Sequence, residues 1–317
     1  MKKLSVISVL SFFVAFVLSI PCYAAESKNG TSLFTAVKNY QVNTVKSLIN
    51  KGANVNAADI KGNTPLIYAV QTGAADIVKV LLNAGAKVNQ KNNEGNSAMD
   101  CAAEYATDAN LEIIKILERA GGRISPNSSA VLNGLRKAIT GDNVVFAKKL
   151  LDKGANVNAK IDKKMTFLFL AATGNNPDMV SVLLDAGANV NVGMDDIGTP
   201  LCAAIIGNMN GQDYSSSEFN ENSLKIARML IDSGANVNLG SKNDNLTPLY
   251  WACAERSCSP EMVILLLESG ADINKASVDN KSLFELTKTS EENKININKY
   301  SQVMRILKNP KIFTNKH

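Results

Sequence analysis

The chain has a single histidine among its 317 residues, and it is the last one, His317. A Ser-His-Asp or Cys-His relay and any histidine-bearing metal site are thereby excluded. Tryptophan is as scarce, with Trp251 alone, and aromatics make up 6% of the chain. The five cysteines (Cys22, Cys101, Cys202, Cys253 and Cys258) include no Cys-x-x-Cys pair of the kind that builds structural zinc sites. No run of five like charges occurs, and the net charge of +5 is interspersed, so there is no electrostatic footprint of nucleic-acid binding. A Walker loop, a Gly-x-Gly-x-x-Gly turn and a Gly-x-Ser-x-Gly elbow are all missing. Adjacent carboxylates stand at Asp195-Asp196 and Glu291-Glu292, where paired acids read as solvated surface. The chain is read as non-enzymatic, with no cofactor and no metal.

Long apolar runs are also missing, except at the start. Lys2 and Lys3 precede an apolar stretch from Leu4 to Ile20, Pro21 breaks it, and Cys22-Tyr23-Ala24 places small residues at the −3 and −1 positions. This reads as a bacterial secretory signal over residues 1–24, cleaved after Ala24, and places the mature chain in the periplasm or outside the cell. The alternative, an uncleaved anchor, has seventeen residues interrupted by four serines, against the roughly 20 that a span needs. No later segment is apolar enough to cross a bilayer, so no membrane association is expected after cleavage.

What the chain has in abundance is one phrase. Gly-Ala-Asn-Val-Asn stands at Gly52–Asn56, Gly154–Asn158, Gly187–Asn191 and Gly234–Asn238, with near-copies at Gly85–Asn89 and Gly270–Asn274 and a degenerate one at Gly121–Ser125. Successive glycines are 33, 36, 33, 33, 47 and 36 residues apart. A period near 33 means stacked repeats, none of which can bury its apolar face alone. Within 59–91, Thr64 is placed to cap a helix opened by Pro65, and Leu66, Ala69 and Val70 recur at helical spacing. Gly73 ends that helix, and Asp76 starts a second with Ile77, Val80 and Leu81 on one face. Gly85 then takes the left-handed conformation of a helix C-cap.

Thr64-Pro65-Leu66, Thr199-Pro200-Leu201 and Thr247-Pro248-Leu249, with Leu-Leu late in the second helix and Gly-Ala-x-Val-Asn after it, resemble the ankyrin repeat. The resemblance covers about 30–310. It implies an all-α repeat solenoid of helix–turn–helix units joined by β-hairpins or loops. Ankyrin repeats often carry a histidine after the leucine of this motif; here Ile67, Asp100, Arg136, Phe169, Cys202 and Tyr250 stand in its place, which puts local rigidity in question. Eight units fill 25–309: 31–60, 61–93, 94–129, 130–162, 163–195, 196–243, 244–279 and a cap at 280–309, followed by a loose tail at 310–317. The sixth unit holds 14 extra residues across 208–222, polar and without helical periodicity, and is expected to be an exposed loop carrying Tyr214 and Phe219. It is either a partner-contact loop or a tolerated insertion.

The resemblance further implies protein recognition through a concave surface of hairpin tips and first helices. Its candidates are Ile60, Lys61, Asn63, Gln71 and Thr72, then Asn93, Glu94, Asn96, Glu104 and Tyr105, then Asp162, Lys163, Met165 and Thr173, and finally Asp195, Asp196 and Gly198. Mixed signs and amides favour a folded protein as partner, engaged by a monomer. Trp251 has two readings, packing against the neighbouring unit or an aromatic at the groove rim. The function expected is a periplasmic interaction scaffold, with two alternatives: an immunity protein against a periplasm-targeted toxin, or an exported effector that binds host proteins.

Cys101 and Cys202 are three repeats apart, at about 10 Å per repeat, and cannot meet. Cys253 and Cys258 flank a turn and either pair or serve as buried small hydrophobes. If they pair, alkylation of the unreduced native protein leaves both unlabelled. Labelling of both without reduction contradicts the pairing.

Overall fold

The computed structural model describes residues 32–105, 108–161, 165–207, 217–253, 259–275 and 297–310. The signal segment, Asp162, Lys163, Tyr214, Cys258 and its pairing with Cys253, and the tail beyond Pro310 lie outside these residues, as does the side chain of Phe219.

Pairs of short helices follow one another as the 33-residue period predicts. They are α1 (Leu33–Lys38), α2 (Val42–Asn50), α3 (Pro65–Gln71), α4 (Ala75–Asn83), α5 (Ala98–Ala103) and α6 (Asp108–Arg119). Then come α7 (Ser129–Thr140), α8 (Val144–Asp152), α9 (Phe167–Thr173), α10 (Pro177–Asp185), α11 (Pro200–Ile206) and α12 (Ser217–Asp232). The last three are α13 (Pro248–Cys253), α14 (Pro260–Glu268) and α15 (Ile297–Lys308). Proline opens α3, α10, α11, α13 and α14, where its missing N–H costs nothing. Ser32, Thr64, Ser128, Asn143, Thr166, Asn176 and Ser259 cap helices through side-chain oxygens.

The chain divides into two compact units. One holds α1–α4, α6 and all of α5 but its last residue; the other holds Ala103–Tyr105 and everything from Ile124 on. In the first, α1 packs on α3, and α2 on α4 on α6. In the second, α7, α9, α11 and α13 pack in sequence, as do α8, α10, α12, α14 and α15. First helices thus lie on first helices and second on second. Buried Leu66, Ile67, Val70, Ile77 and Leu81 form the core of one unit, and Leu135, Phe146, Phe167, Phe169, Leu183, Leu201 and Leu230 that of the other. Ile67 and Phe169, two of the residues in place of the family histidine, are filled in by burial alone.

The repeated phrase does more than cap a helix. Its glycines take positive φ (Gly52 +87°, Gly187 +80°), and its first Asn accepts from the amide two residues on, as Asn54 does from Asn56 at 2.9 Å. Its second Asn reaches into the next repeat with both ends of its amide. Asn191 donates Nδ2 to the Gly234 carbonyl at 3.2 Å and accepts from the Asn236 amide at 2.8 Å. Asn56, Asn89, Asn158 and Asn238 make the same pair of bonds to Gly85 and Lys87, Gly121 and Arg123, Gly187 and Asn189, and Gly270 and Asp272. In the degenerate copy Ser125 holds this position, and Asn156 bonds instead to the Pro126 carbonyl and the Asn127 side chain.

The connections are hairpins or loops, as expected, and one other expectation is modified. The hairpins form ladders only at β1 (Lys160–Ile161) with β2 (Met165–Thr166) and at the Met194–Gly198 bridge, among the described residues. Asp59 and Asn92 shape two other tips, each accepting from the amides two and four residues on. The stretch 208–222 is not a loop throughout, because α12 already begins at Ser217. The Ser223 hydroxyl ties the helix to Asn175 at 3.2 Å.

Replacing Asn191 with Ala removes two bonds and should lower stability by about 1–2 kcal/mol in urea titration. Gly134→Ala should cost about 1–3 kcal/mol, because its new Cβ would lie 1.9 Å from the Ala103 carbonyl oxygen.

Candidate functional site

In the first compact unit, α1, α3 and the hairpin tips present one face. Tyr68 is its centre. Its hydroxyl donates to Asp59 Oδ2 at 2.6 Å, Phe34 meets its ring edge-on at 5.8 Å, and Lys38 Nζ sits 4.1 Å above the ring centroid. Burial pushes the Asp59 carboxyl upward, but bonds from Tyr68 and the Asn63 and Lys61 amides, helped by Lys38, leave it below its ordinary value. Around this cluster Ile60 is 80% exposed, and Lys61, Gln71, Asn93 and Glu94 are exposed too. Thr72 is half-buried and donates its hydroxyl to the Tyr68 carbonyl at 3.0 Å. Its own carbonyl accepts from the Tyr40 hydroxyl.

Asn63 and Asn96 are corrected. Both are buried, at 7% and 3% exposure, and cannot meet a partner. Asn63 Oδ1 accepts from Asn92 at 2.9 Å, and Asn96 Nδ2 donates to Glu94 at 3.3 Å. Asn93 keeps an exposed side chain but binds the neighbouring tip, donating its backbone amide to the Lys61 carbonyl and Nδ2 to the Ile60 carbonyl, each at 3.0 Å.

In the second unit, Glu104 pairs with Lys137 at 3.3 Å, and the same ammonium lies 4.4 Å from the exposed Tyr105 ring. Met165 and Thr173 are half-buried, the latter donating to the Leu170 carbonyl at 2.7 Å. Asp195 and Asp196 are exposed on one tip and engage the next, through Lys242 Nζ at 2.6 Å and through Asn243. Gly198 is buried with φ +106°, and a Cβ there would lie 2.9 Å from Cys202 Sγ. Burial pushes the Cys202 thiol up to about 11, so it packs rather than reacts. Trp251 is half-buried, donates Nε1 to the Ile197 carbonyl at 3.2 Å, and meets Tyr250 edge-on at 5.3 Å. It therefore both anchors to the preceding tip and keeps part of its ring at the surface.

A family model described as "Ankyrin repeats (3 copies)" matches residues 12–92, 33–128, 135–213 and 218–277. The chain belongs to the ankyrin-repeat family. No curated protein matches it significantly in sequence. Among solved structures it resembles the human ASB11 ankyrin repeat domain, with 23% identity and a TM-score of 0.51, over 76% of this chain and 99% of that one. It also resembles the ankyrin repeat domain of Bcl-3, a member of the IkappaB family, with 25% identity and a TM-score of 0.53, over 75% of this chain and 97% of that one. Ankyrin repeats mediate protein–protein interaction.

Sequence reasoning passed over Tyr68, Lys137 and Leu170 as face residues. Tyr68, Lys137, Leu170 and Trp251 occupy the same register of their first helices, but so do Cys101 and Ala203, which are buried, so register alone does not mark the face. Among the described residues no three His, Cys, Asp or Glu side chains are grouped to hold a metal, and no helix is long and apolar enough to cross a membrane.

The depressed Asp59 pKa stabilises the fold above the pKa of the unfolded chain, and this contribution is lost as pH falls through the folded value. Thermal unfolding of Asp59→Asn should accordingly lie below that of the parent at neutral pH and converge with it in acid. A constant offset at all pH values would contradict this.

Proposed function

We propose that this chain is a non-catalytic recognition scaffold that binds a folded protein through the face made by its first helices and hairpin tips. The observation carrying this reading is a division of labour along the repeats. Asparagine amides and buried aliphatic side chains hold the stack together. Ile60, Lys61, Gln71 and Tyr105 stand at the tips and first-helix ends with exposed side chains. Side chains at such places are free to vary with the partner.

The segment 1–24 supports export across a bacterial inner membrane, which would put the interaction in the periplasm or beyond it.

The test is affinity capture from periplasmic extract with the parent chain and two variants. Glu104→Arg with Asp196→Arg reverses two charges on the proposed face; Asp178→Arg with Glu268→Arg does so on second helices. Loss of the same partner by the first variant and retention by the second is expected. Equal recovery by all three would count against the face.

A further inference from the structure

In the second compact unit the shared register changes chemistry. It is cationic at Lys137 and then apolar at Leu170, Ala203 and Trp251, on three first helices that pack in sequence. Ile206, one turn past Ala203, is half-buried, as are Leu170, Trp251 and Ile197. Leu239 adds an exposed aliphatic side chain at 39%. Ala203 itself is fully buried, but Leu170, Ile197, Ile206 and Leu239 leave apolar surface open beside an indole whose ring is only partly covered.

The rim of this surface is negative. The tips contribute Asp195, Asp196 and Asp244, all exposed, against Lys242, whose ammonium is taken by Asp195. Asp196 accepts from the Asn243 side-chain amide, a neutral donor. Asp244 lies close enough to Tyr250, next to Trp251, that its field adds to burial in raising the phenol's pKa. A negative carboxylate beside a partly exposed Trp–Tyr pair suits a guanidinium or ammonium, which gains from the ring face and the carboxylate together.

We infer that the second unit's first-helix face recognises a partner segment that carries apolar side chains flanked by arginine or lysine, with the apolar part on Leu170, Ile206 and Trp251 and the cation between Asp196, Asp244 and the indole. This inference rests on the recognition reading above and names the chemistry of its partner. Charge complementarity fixes which partners are accepted and how fast they arrive, while the apolar contact holds them.

The test uses the full chain as bait for a random peptide display library, with binding of the enriched peptides followed through the fluorescence of Trp251. Enriched sequences should combine apolar residues with Arg or Lys. Their affinity should fall at least about tenfold in Asp196→Lys with Asp244→Lys, fall with added salt, and stay unchanged in Asp178→Lys with Asp185→Lys. Circular dichroism checks that all variants fold. Enrichment of acidic or neutral peptides that still lose binding in Leu170→Asp with Ile206→Asp overturns the partner chemistry and leaves the recognition face standing. Peptides indifferent to every variant on this face overturn both. A selection yielding no basic apolar peptide overturns the inference, as does basic apolar binding that persists in Asp196→Lys with Asp244→Lys.

Discussion

The structure depends on one side chain repeated five times: the asparagine that closes each Gly-Ala-x-Val-Asn phrase and bonds to the next repeat. A single ankyrin repeat has too little apolar surface to fold alone, so its stability comes from the neighbour. The helices supply that through burial, which is strong but non-directional. The asparagine supplies direction. Its amide donates to a glycine carbonyl and accepts from the backbone amide two residues further on, which fixes the height at which the two repeats it joins meet. Two satisfied backbone groups per rung also remove the cost of leaving a helix end unpaired.

With stacking secured at the base of the repeats, the opposite end is released from structural duty, and there the repeats differ from one another. Tyr68, Lys137, Leu170 and Trp251 share a register, yet range from phenol to ammonium to indole. Not every polar tip residue is free. Asn93 bonds to the preceding tip, as do Lys242 and Asn243, so neighbouring tips support one another while presenting Ile60, Lys61, Asp196 and Asp244 outward. A recognition surface made this way is rigid where its backbone is and variable where its side chains are.

Much of this was legible in the sequence. The spacing of the glycines located the repeats, and Thr64-Pro65-Leu66 marked both the cap and the first helical turn that the structure shows. The errors share a cause. Asn63 and Asn96 read as surface amides because asparagine is usually exposed, but a tight tip buries its polar side chains by giving them backbone and side-chain partners. The residues at 217–222 lack an apolar stripe, so periodicity alone could not reveal that they extend α12. The asparagine rung was visible as a motif but not as a contact, because its partners lie about 30 residues away and only stacking brings them together.

Hydrogen–deuterium exchange of the full chain, alone and with its captured partner, tests the recognition face most directly. Binding should slow exchange along α9, α11 and α13 and at the tip around 195–198, and leave α8, α10 and α14 unchanged. Protection confined to α8, α10 and α14 would contradict the account.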